Sequence, residues 1–169
     1  TKDTDVAQKV KSEFKFRTPT ISGYTHTFNA KKNGYPFVQS IKSMLGFCSE
    51  VVVVDGGSTD GTIDDLKEIN DPKLKVIHNA WDDSEPGMDG MQKAFGRMFC
   101  DPSSEFLWQQ DCDEIVHESD YEKIISIAKM FPPNVDLIHL PVVELWGDDK
   151  HFRTDRHAWK WRMSRNVFN

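Results

Sequence analysis

What this sequence lacks narrows it first. It has three cysteines, Cys48, Cys100 and Cys112, odd in number, far apart and without a CxxC pair. Neither a disulfide framework nor a zinc or dithiol motif can be read from them, and a reducing compartment fits best. No apolar run approaches the roughly 18–20 residues that cross a bilayer, and the polar start Thr1–Lys15 has no signal-peptide core. A cytoplasmic protein is predicted, any membrane association being peripheral, at the cytoplasmic face. An excess of basic residues is also missing: 21 Lys and Arg stand against 27 Asp and Glu, a net charge of −6. That sign sets nucleic acid aside as a partner. A phosphate-bearing ligand on so acidic a chain needs local compensation, and a carboxylate-held cation is the obvious device.

Several signatures of other chemistries are absent too. No GxGxxG, GK[ST] or GxSxG stands in the chain, and the six histidines, His26, His117 and His139 among them, show no i, i+4 pair suited to zinc. Each histidine reads as structural or solvent-facing. There are no internal repeats, low-complexity tracts or convincing linkers.

What is present is a foldable chain of 169 residues, 38% hydrophobic and 28% charged, the size of one domain. Val6, Val10 and Phe14 recur every four residues behind Asp5 and predict a short amphipathic helix outside the main pattern. From Pro19 the chain alternates. Thr20–Phe28 reads as a strand, and Phe37, Ile41 and Leu45 mark a helix that begins at Pro36. Val51–Val54 is a continuous β-branched run of the kind buried on both faces of a parallel sheet.

A helix over Ile63–Ile69 and a strand over Leu74–His78 follow, and Met88, Met91, Phe95, Met98 and Phe99 predict the core-facing side of another helix. Glu105–Gln110 reads as a fourth strand, Ser119–Glu122 as a capping box ahead of a helix through Ile124, Ile125, Ala128 and Phe131. Val135–Leu145 reads as a long apolar strand, and Trp159–Met163 alternates like a half-buried one. The fold class is therefore α/β, a mostly parallel Rossmann-like sheet with helices on both faces, and ligands gather at the carboxyl ends of its strands.

Two constellations fall at such ends. After the four valines comes Asp55-Gly56-Gly57-Ser58-Thr59-Asp60-Gly61-Thr62. Asp55 can accept hydrogen bonds from a base or sugar, the glycines let backbone approach closely, and Thr59 or Asp60 can cap the next helix. A plain strand-to-helix turn is the structural alternative. After the fourth strand, Asp111, Asp113 and Glu114 put three carboxylates within four residues. In an extended segment Asp111 and Asp113 point the same way and offer hard oxygen ligands suited to Mg²⁺ or Mn²⁺. A solvated acidic turn is the alternative here.

Taken together, the two motifs resemble the nucleotide-binding part of a family 2 glycosyltransferase of the GT-A fold, over about residues 20–118. Thr25-His26-Thr27-Phe28-Asn29 resembles that family's first strand and turn, and Gln39–Leu45 its first helix. Glu50–Thr62 resembles its most recognisable segment, and Asp111-Cys112-Asp113 its DxD metal motif. The resemblance implies one domain: an extension over 1–18, a nucleotide-binding half over 19–118 and the start of an acceptor-binding half over 119–169.

It further implies a metal-dependent, inverting transfer of a sugar from a nucleoside diphosphate, a UDP-sugar being favoured, to a hydroxyl of a glycan, a lipid-linked or another acceptor. Thr25, Phe28, Asn29, Gly57, Ser58 and Lys93 would contact the nucleotide, Asp55 the base and Asp111 the ribose, and Asp111 with Asp113 would bind Mn²⁺ or Mg²⁺. Lys93 is otherwise a solvated helix residue. The base that deprotonates the acceptor is expected after the fifth strand, where Asp148 and Asp149 are favoured over Glu144 and Asp155. Trp146, Trp159 and Trp161 either stack on a sugar or fill the core, and Arg162 and Arg165 can meet phosphate. Asn169 comes early for a full domain of this type, so part of the acceptor site is expected to lie outside the sequence. A nucleotide or glycan binder without turnover, and a sugar-nucleotide pyrophosphorylase, are the competing readings.

Overall fold

The computed structural model describes residues 17–148, 150–155 and 158–167. The expected helix around Val6, Val10 and Phe14 lies outside the described residues. Strand β1 (Ile21–Thr27) is followed by α1 (Phe37–Leu45), β2 (Glu50–Asp55), α2 (Thr62–Lys67), β3 (Leu74–His78), α3 (Met88–Met98) and β4 (Phe106–Gln109). A 3₁₀ turn (Glu118–Asp120), α4 (Tyr121–Lys129), β5 (Leu137–Val142) and β6 (Ala158–Arg165) complete the chain.

These strands form one six-stranded sheet in the order β3-β2-β1-β4-β6-β5. β1 to β4 are mutually parallel where they pair, with Thr27 opposite Asp55 and Tyr24 opposite Gln109. The order reverses between β1 and β4, which opens the crevice where open α/β sheets bind ligands. β6 runs antiparallel to both β4 and β5. The apolar run expected as one long strand over Val135–Leu145 thus shortens to Leu137–Val142 and never meets β4. Pro141, which cannot donate to a ladder, is tolerated because β5 is the edge strand.

Helices cover both faces. α1, α2 and α4 share one core through Phe37, Ile41, Met44, Leu66, Ile124 and Ala128 against Ile21, Val51, Val53, Phe106, Trp108 and Met163. On the other face, Tyr24, Val52, Cys100 and Leu107 form a smaller cluster. Here α3 corrects the sequence reading. Its buried residues are Met88, Gln92 and Gly96, whereas Met91, Met98 and Phe99 are 52%, 72% and 48% exposed. Backbone proximity decides the face: a Cβ on Gly96 would stand 3.1 Å from Val54 Cγ2, so a bulky residue there would hold the helix off the sheet. Gln92 is drawn inward because its amide donates to the Asn79 carbonyl at 2.9 Å and accepts from the Asn79 side chain at 3.2 Å.

The expected capping box also gives way. The His117 side chain accepts from the Ser119 amide and starts the 3₁₀ turn. That turn runs into α4 through a helical Asp120 (φ −100°, ψ −8°), which leaves no extended residue from which a side chain could cap.

Candidate functional site

The site is built at the carboxyl ends of β1, β2 and β4. Asp55, the last residue of β2, is 1% exposed. Its Oδ1 accepts from the Gly57 and Ser58 amides, both at 2.8 Å, and its Oδ2 from the Thr27 hydroxyl at 2.9 Å and the Ser58 hydroxyl at 2.6 Å. An ionised carboxylate has about four such acceptor positions, so its own loops fill them. Gly57 adopts φ +92°, a conformation that favours glycine.

The β1 turn is fastened to the same loop. Asn29, left-handed at φ 48°, donates its amide to Ser58 Oγ at 2.8 Å and accepts from the Thr59 amide at 3.0 Å through its side chain. Asp60 accepts from the Thr62 amide at 3.0 Å and the Lys32 amide at 2.7 Å and so ties the β1 turn to the start of α2, whose N-cap is the left-handed Gly61 rather than Thr59 or Asp60. Phe28 stacks on Trp81 with centroids 5.2 Å apart and planes 4° from parallel. Gly56 permits this, since a Cβ there would meet both rings' side chains at 3.0 Å. Thr25 is wholly buried inside the sheet, and its hydroxyl has no hydrogen-bond partner.

β4 ends in a second constellation. Gln110, 1% exposed, accepts from the Trp108 indole at 3.0 Å and donates to Ser40 Oγ at 3.0 Å and to the Glu114 carbonyl at 2.8 Å. That amide draws Glu114 back toward α1, and the Glu114 amide closes on the Asp111 carbonyl at 3.1 Å. The segment is therefore a turn rather than the extended stretch the sequence suggested, and Asp111 and Asp113 do not share a face by strand alternation.

Asp111 sits among cations. Its Oδ1 meets Lys93 Nζ at 2.7 Å and the Gln109 amide at 3.0 Å, and its Oδ2 meets Lys160 Nζ at 2.9 Å. Burial would raise its pKa, but hydrogen bonds from Lys93, Lys160 and Gln109 outweigh that and hold it well below the usual carboxylate range. Lys93 is only 19% exposed and also reaches Asp89 at 2.8 Å, so it is paired rather than solvated. Asp89 in turn lies 3.3 Å from His26 Nε2, and the His26 ring packs on Trp81. Glu114 accepts from Lys160 at 2.6 Å and takes both oxygens to Arg162, which is 6% exposed and also donates to Gln109 at 2.9 Å.

Asp113 is exposed, and among the described residues no cation pairs with it. Among those residues no group of three or more His, Cys, Asp or Glu is arranged to hold a metal ion. Cys112 offers no thiolate, its pKa being pushed up to about 12 by burial and by Asp113 and Asp111. The donor set fits one mode of cation binding: a hard ion held by one free carboxylate, Asp113, and completed by phosphate oxygens and water, as Mg²⁺ commonly is.

Other sequence-based candidates lie elsewhere. Asp148 is in the β5–β6 connection, where it accepts from the Lys150 and His151 amides at 2.9 Å and from His151 Nδ1 at 2.8 Å, with no contact to the Asp111 cluster. Asp149 lies outside the described residues. Asp155 pairs with Arg153 at 2.7 Å, and Glu144 is 3.9 Å from the same arginine. Arg165 does not face a phosphate site; it donates to the Val135, Phe131 and Pro132 carbonyls and lies over the Phe106 and Phe131 rings, fastening the exit of α4. Trp146, Trp159 and Trp161 are 66%, 60% and 44% exposed, so they do not fill the core. Lys160 was not singled out from sequence. Its signal was the alternation Trp159-Lys160-Trp161-Arg162, which puts Lys160 and Arg162 on one face of a strand.

A four-stranded parallel unit with an antiparallel pair at one edge, helices on both faces and paired acidic loops at its switch point is the GT-A architecture. The chain belongs to glycosyl transferase family 2, whose family model matches residues 24–166. Solved structures agree on the fold. TarS 1–349 of S. aureus superposes with a TM-score of 0.55 at 19% identity, covering 87% of this chain and 47% of that one. The mannosyltransferase PcManGT of Pyrobaculum calidifontis, in complex with GDP-Man and Mn²⁺, gives 0.54 at 17% identity over 73% of this chain and 35% of that one. The chain thus spans less than half the length of either. A 4-diphosphocytidyl-2C-methyl-D-erythritol synthase from Anaerococcus prevotii gives 0.58 at 11% identity, covering 90% and 72%. The fold alone therefore does not separate glycosyl transfer from other nucleotide chemistry. No curated protein matches the chain by sequence.

Proposed function

We propose that this chain binds a nucleoside-diphosphate sugar, a UDP-sugar before others, across the carboxyl ends of β1, β2 and β4, and transfers the sugar to an acceptor hydroxyl with inversion. The observation that carries this reading is the convergence, at the switch point, of the Asp55 loop with the Asp111–Glu114 turn. Family membership supports it, as do the ligands of similar structures: TarS of S. aureus, solved with UDP-GlcNAc, and PcManGT, solved with GDP-Man and Mn²⁺.

Asp55, saturated by its own loops, acts by fixing Phe28, Asn29, Gly57 and Ser58 as the wall on which base and ribose lie. Lys93 and Asp111 face the ribose and diphosphate side. Asp113, with Asp111 beside it, would hold Mn²⁺ or Mg²⁺. When bound, that ion supplies charge neutralisation on the departing nucleoside diphosphate. Proton removal from the acceptor falls to a carboxylate of the β5–β6 connection, Asp148 or Asp149, which has to approach the site when the acceptor is present. The acceptor is a hydroxyl of a glycan or lipid-linked saccharide, with Trp146, Trp159 and Trp161 exposed to stack on it.

The lack of contact between Asp148 and the Asp111 cluster favours, as a second reading, a nucleotide or glycan binder without turnover. Calorimetric titration with UDP, GDP and dTDP, each with and without Mn²⁺, tests the shared site. Tight binding of one nucleotide that needs the metal is expected; no binding of any would overturn the transferase reading and leave glycan binding as the only form of the second. Release of UDP or GDP from a sugar nucleotide in the presence of saccharide acceptors then separates transferase from binder.

A further inference from the structure

Glu114 is held by two oxygens to Arg162, a buried guanidinium that also donates to Gln109. Asp111 is held on Oδ1 by Lys93 and by the Gln109 amide. Each carboxylate thus has a cationic partner before Lys160 is counted, yet Lys160 reaches both, Asp111 at 2.9 Å and Glu114 at 2.6 Å. It is the surplus cation of the cluster. It is also the exposed one, with 41% of its side chain accessible against 19% for Lys93 and 6% for Arg162.

Placement adds to the case. Because β6 is antiparallel to β4, with Trp108 opposite Met163, residues 160–162 lie beside the carboxyl end of β4, next to the turn that carries Asp113. A partly exposed ion pair adds little to stability, so an extra lysine among satisfied carboxylates has no evident structural use. A compact ammonium on a flexible four-carbon stem suits a phosphate, which accepts it from many directions. Burial works to lower its pKa, but Glu114 and Asp111 outweigh that, so Lys160 stays charged at neutral pH.

We propose that Lys160 is a diphosphate-binding residue, stored between Asp111 and Glu114 in the free protein and passed to the phosphates of a nucleoside diphosphate when one occupies the turn. This rests on the nucleotide reading above. The carboxylates keep Lys93 and Arg162 when Lys160 leaves, so the exchange strands no buried charge.

The test is titration of wild type, Lys160→Met and Lys160→Arg with UDP and with uridine, which carries no phosphate, in saturating Mn²⁺, together with thermal unfolding of each. Lys160→Met is expected to melt within a few degrees of wild type, to lose roughly tenfold to a hundredfold in UDP affinity, the worth of one charged hydrogen bond, and to leave uridine affinity unchanged. Lys160→Arg, keeping the charge, recovers part of the loss. Unchanged UDP affinity in Lys160→Met, or an equal loss for UDP and uridine, overturns the proposal and makes Lys160 structural. If the wild type binds neither UDP nor GDP, the nucleotide reading itself falls, which the variants cannot imitate.

Discussion

Replacing Asp113 by alanine removes the carboxylate of the β4 turn that no described cation partners. Since Asp113 supports nothing else, thermal stability should stay within about 0.5 kcal/mol, the usual range for a free surface position. The enhancement of UDP binding by Mn²⁺ should disappear, and an enhancement that persists in Asp113→Ala would remove Asp113 from the metal site. Asp55 behaves in the opposite way. Its four accepted hydrogen bonds join the glycine-rich loop to the end of β1, so Asp55→Ala should lower stability by on the order of 3 kcal/mol, seen as a clear drop in Tm, because it strands the Ser58 and Thr27 hydroxyls. It should weaken nucleotide binding with and without metal alike, and normal metal-free affinity in this variant would show that the loop holds its shape unaided.

At the scale of elements, α3 shows how a pattern can be read correctly as helix and wrongly as orientation. Met88, Met91, Phe95, Met98 and Phe99 repeat at helical spacing, and periodicity assigns the whole bulky face to the core, of which only Met88 is buried. The sheet instead admits the face on which Gly96 allows close approach to Val54 and Gln92 satisfies the Asn79 backbone. Neither requirement is written in hydrophobicity. Gln92→Leu should therefore cost about 1–3 kcal/mol through the unpaired Asn79 carbonyl, while Met98→Gln should be nearly neutral. Urea unfolding of the two variants decides it, and the reverse ranking would restore the sequence-based orientation.

Elements whose signals are local were legible: the buried valines of β2, the glycine-rich turn after them and the acidic turn after β4 each carry their chemistry within a few residues. The partners of Glu114 and Asp111 on β6 were not, because they come 46 to 49 residues later and only strand register brings them back. The same holds for β5 and β6, whose antiparallel pairing is set by register and not by any local signal.

For the whole molecule, the response to acid draws on groups at opposite ends of the sheet, His26 and Glu50 among them. Burial, only partly opposed by Asp89, holds His26 below its ordinary value. The unfolded chain then takes up this proton first as pH falls, and stability present above about pH 6.5 declines below it. At the other end, burial would raise Glu50, but hydrogen bonds from Lys75, Ser22 and the Asp101 amide outweigh it and the pKa is lowered. Its contribution, present above the unfolded value of about 4.3, is lost as pH falls further. Denaturant midpoints measured from pH 8 to pH 3 should fall in two stages, and His26→Gln should remove the upper one. An unchanged upper stage in that variant would assign it to another group.

The position of β6 between β4 and β5 has a consequence for synthesis. β6 leaves the ribosome after β4 and β5, yet it supplies both cations of Glu114 and one of the two on Asp111. Until it arrives, β4 is an open edge and both acidic side chains lack their β6 partners. The nascent chain can assemble β1, β2, β3 and the clasped Asp55 loop early, with Lys93 already at hand for Asp111, but Glu114 waits for β6, and for that interval the half-built sheet is exposed to chaperones and proteases.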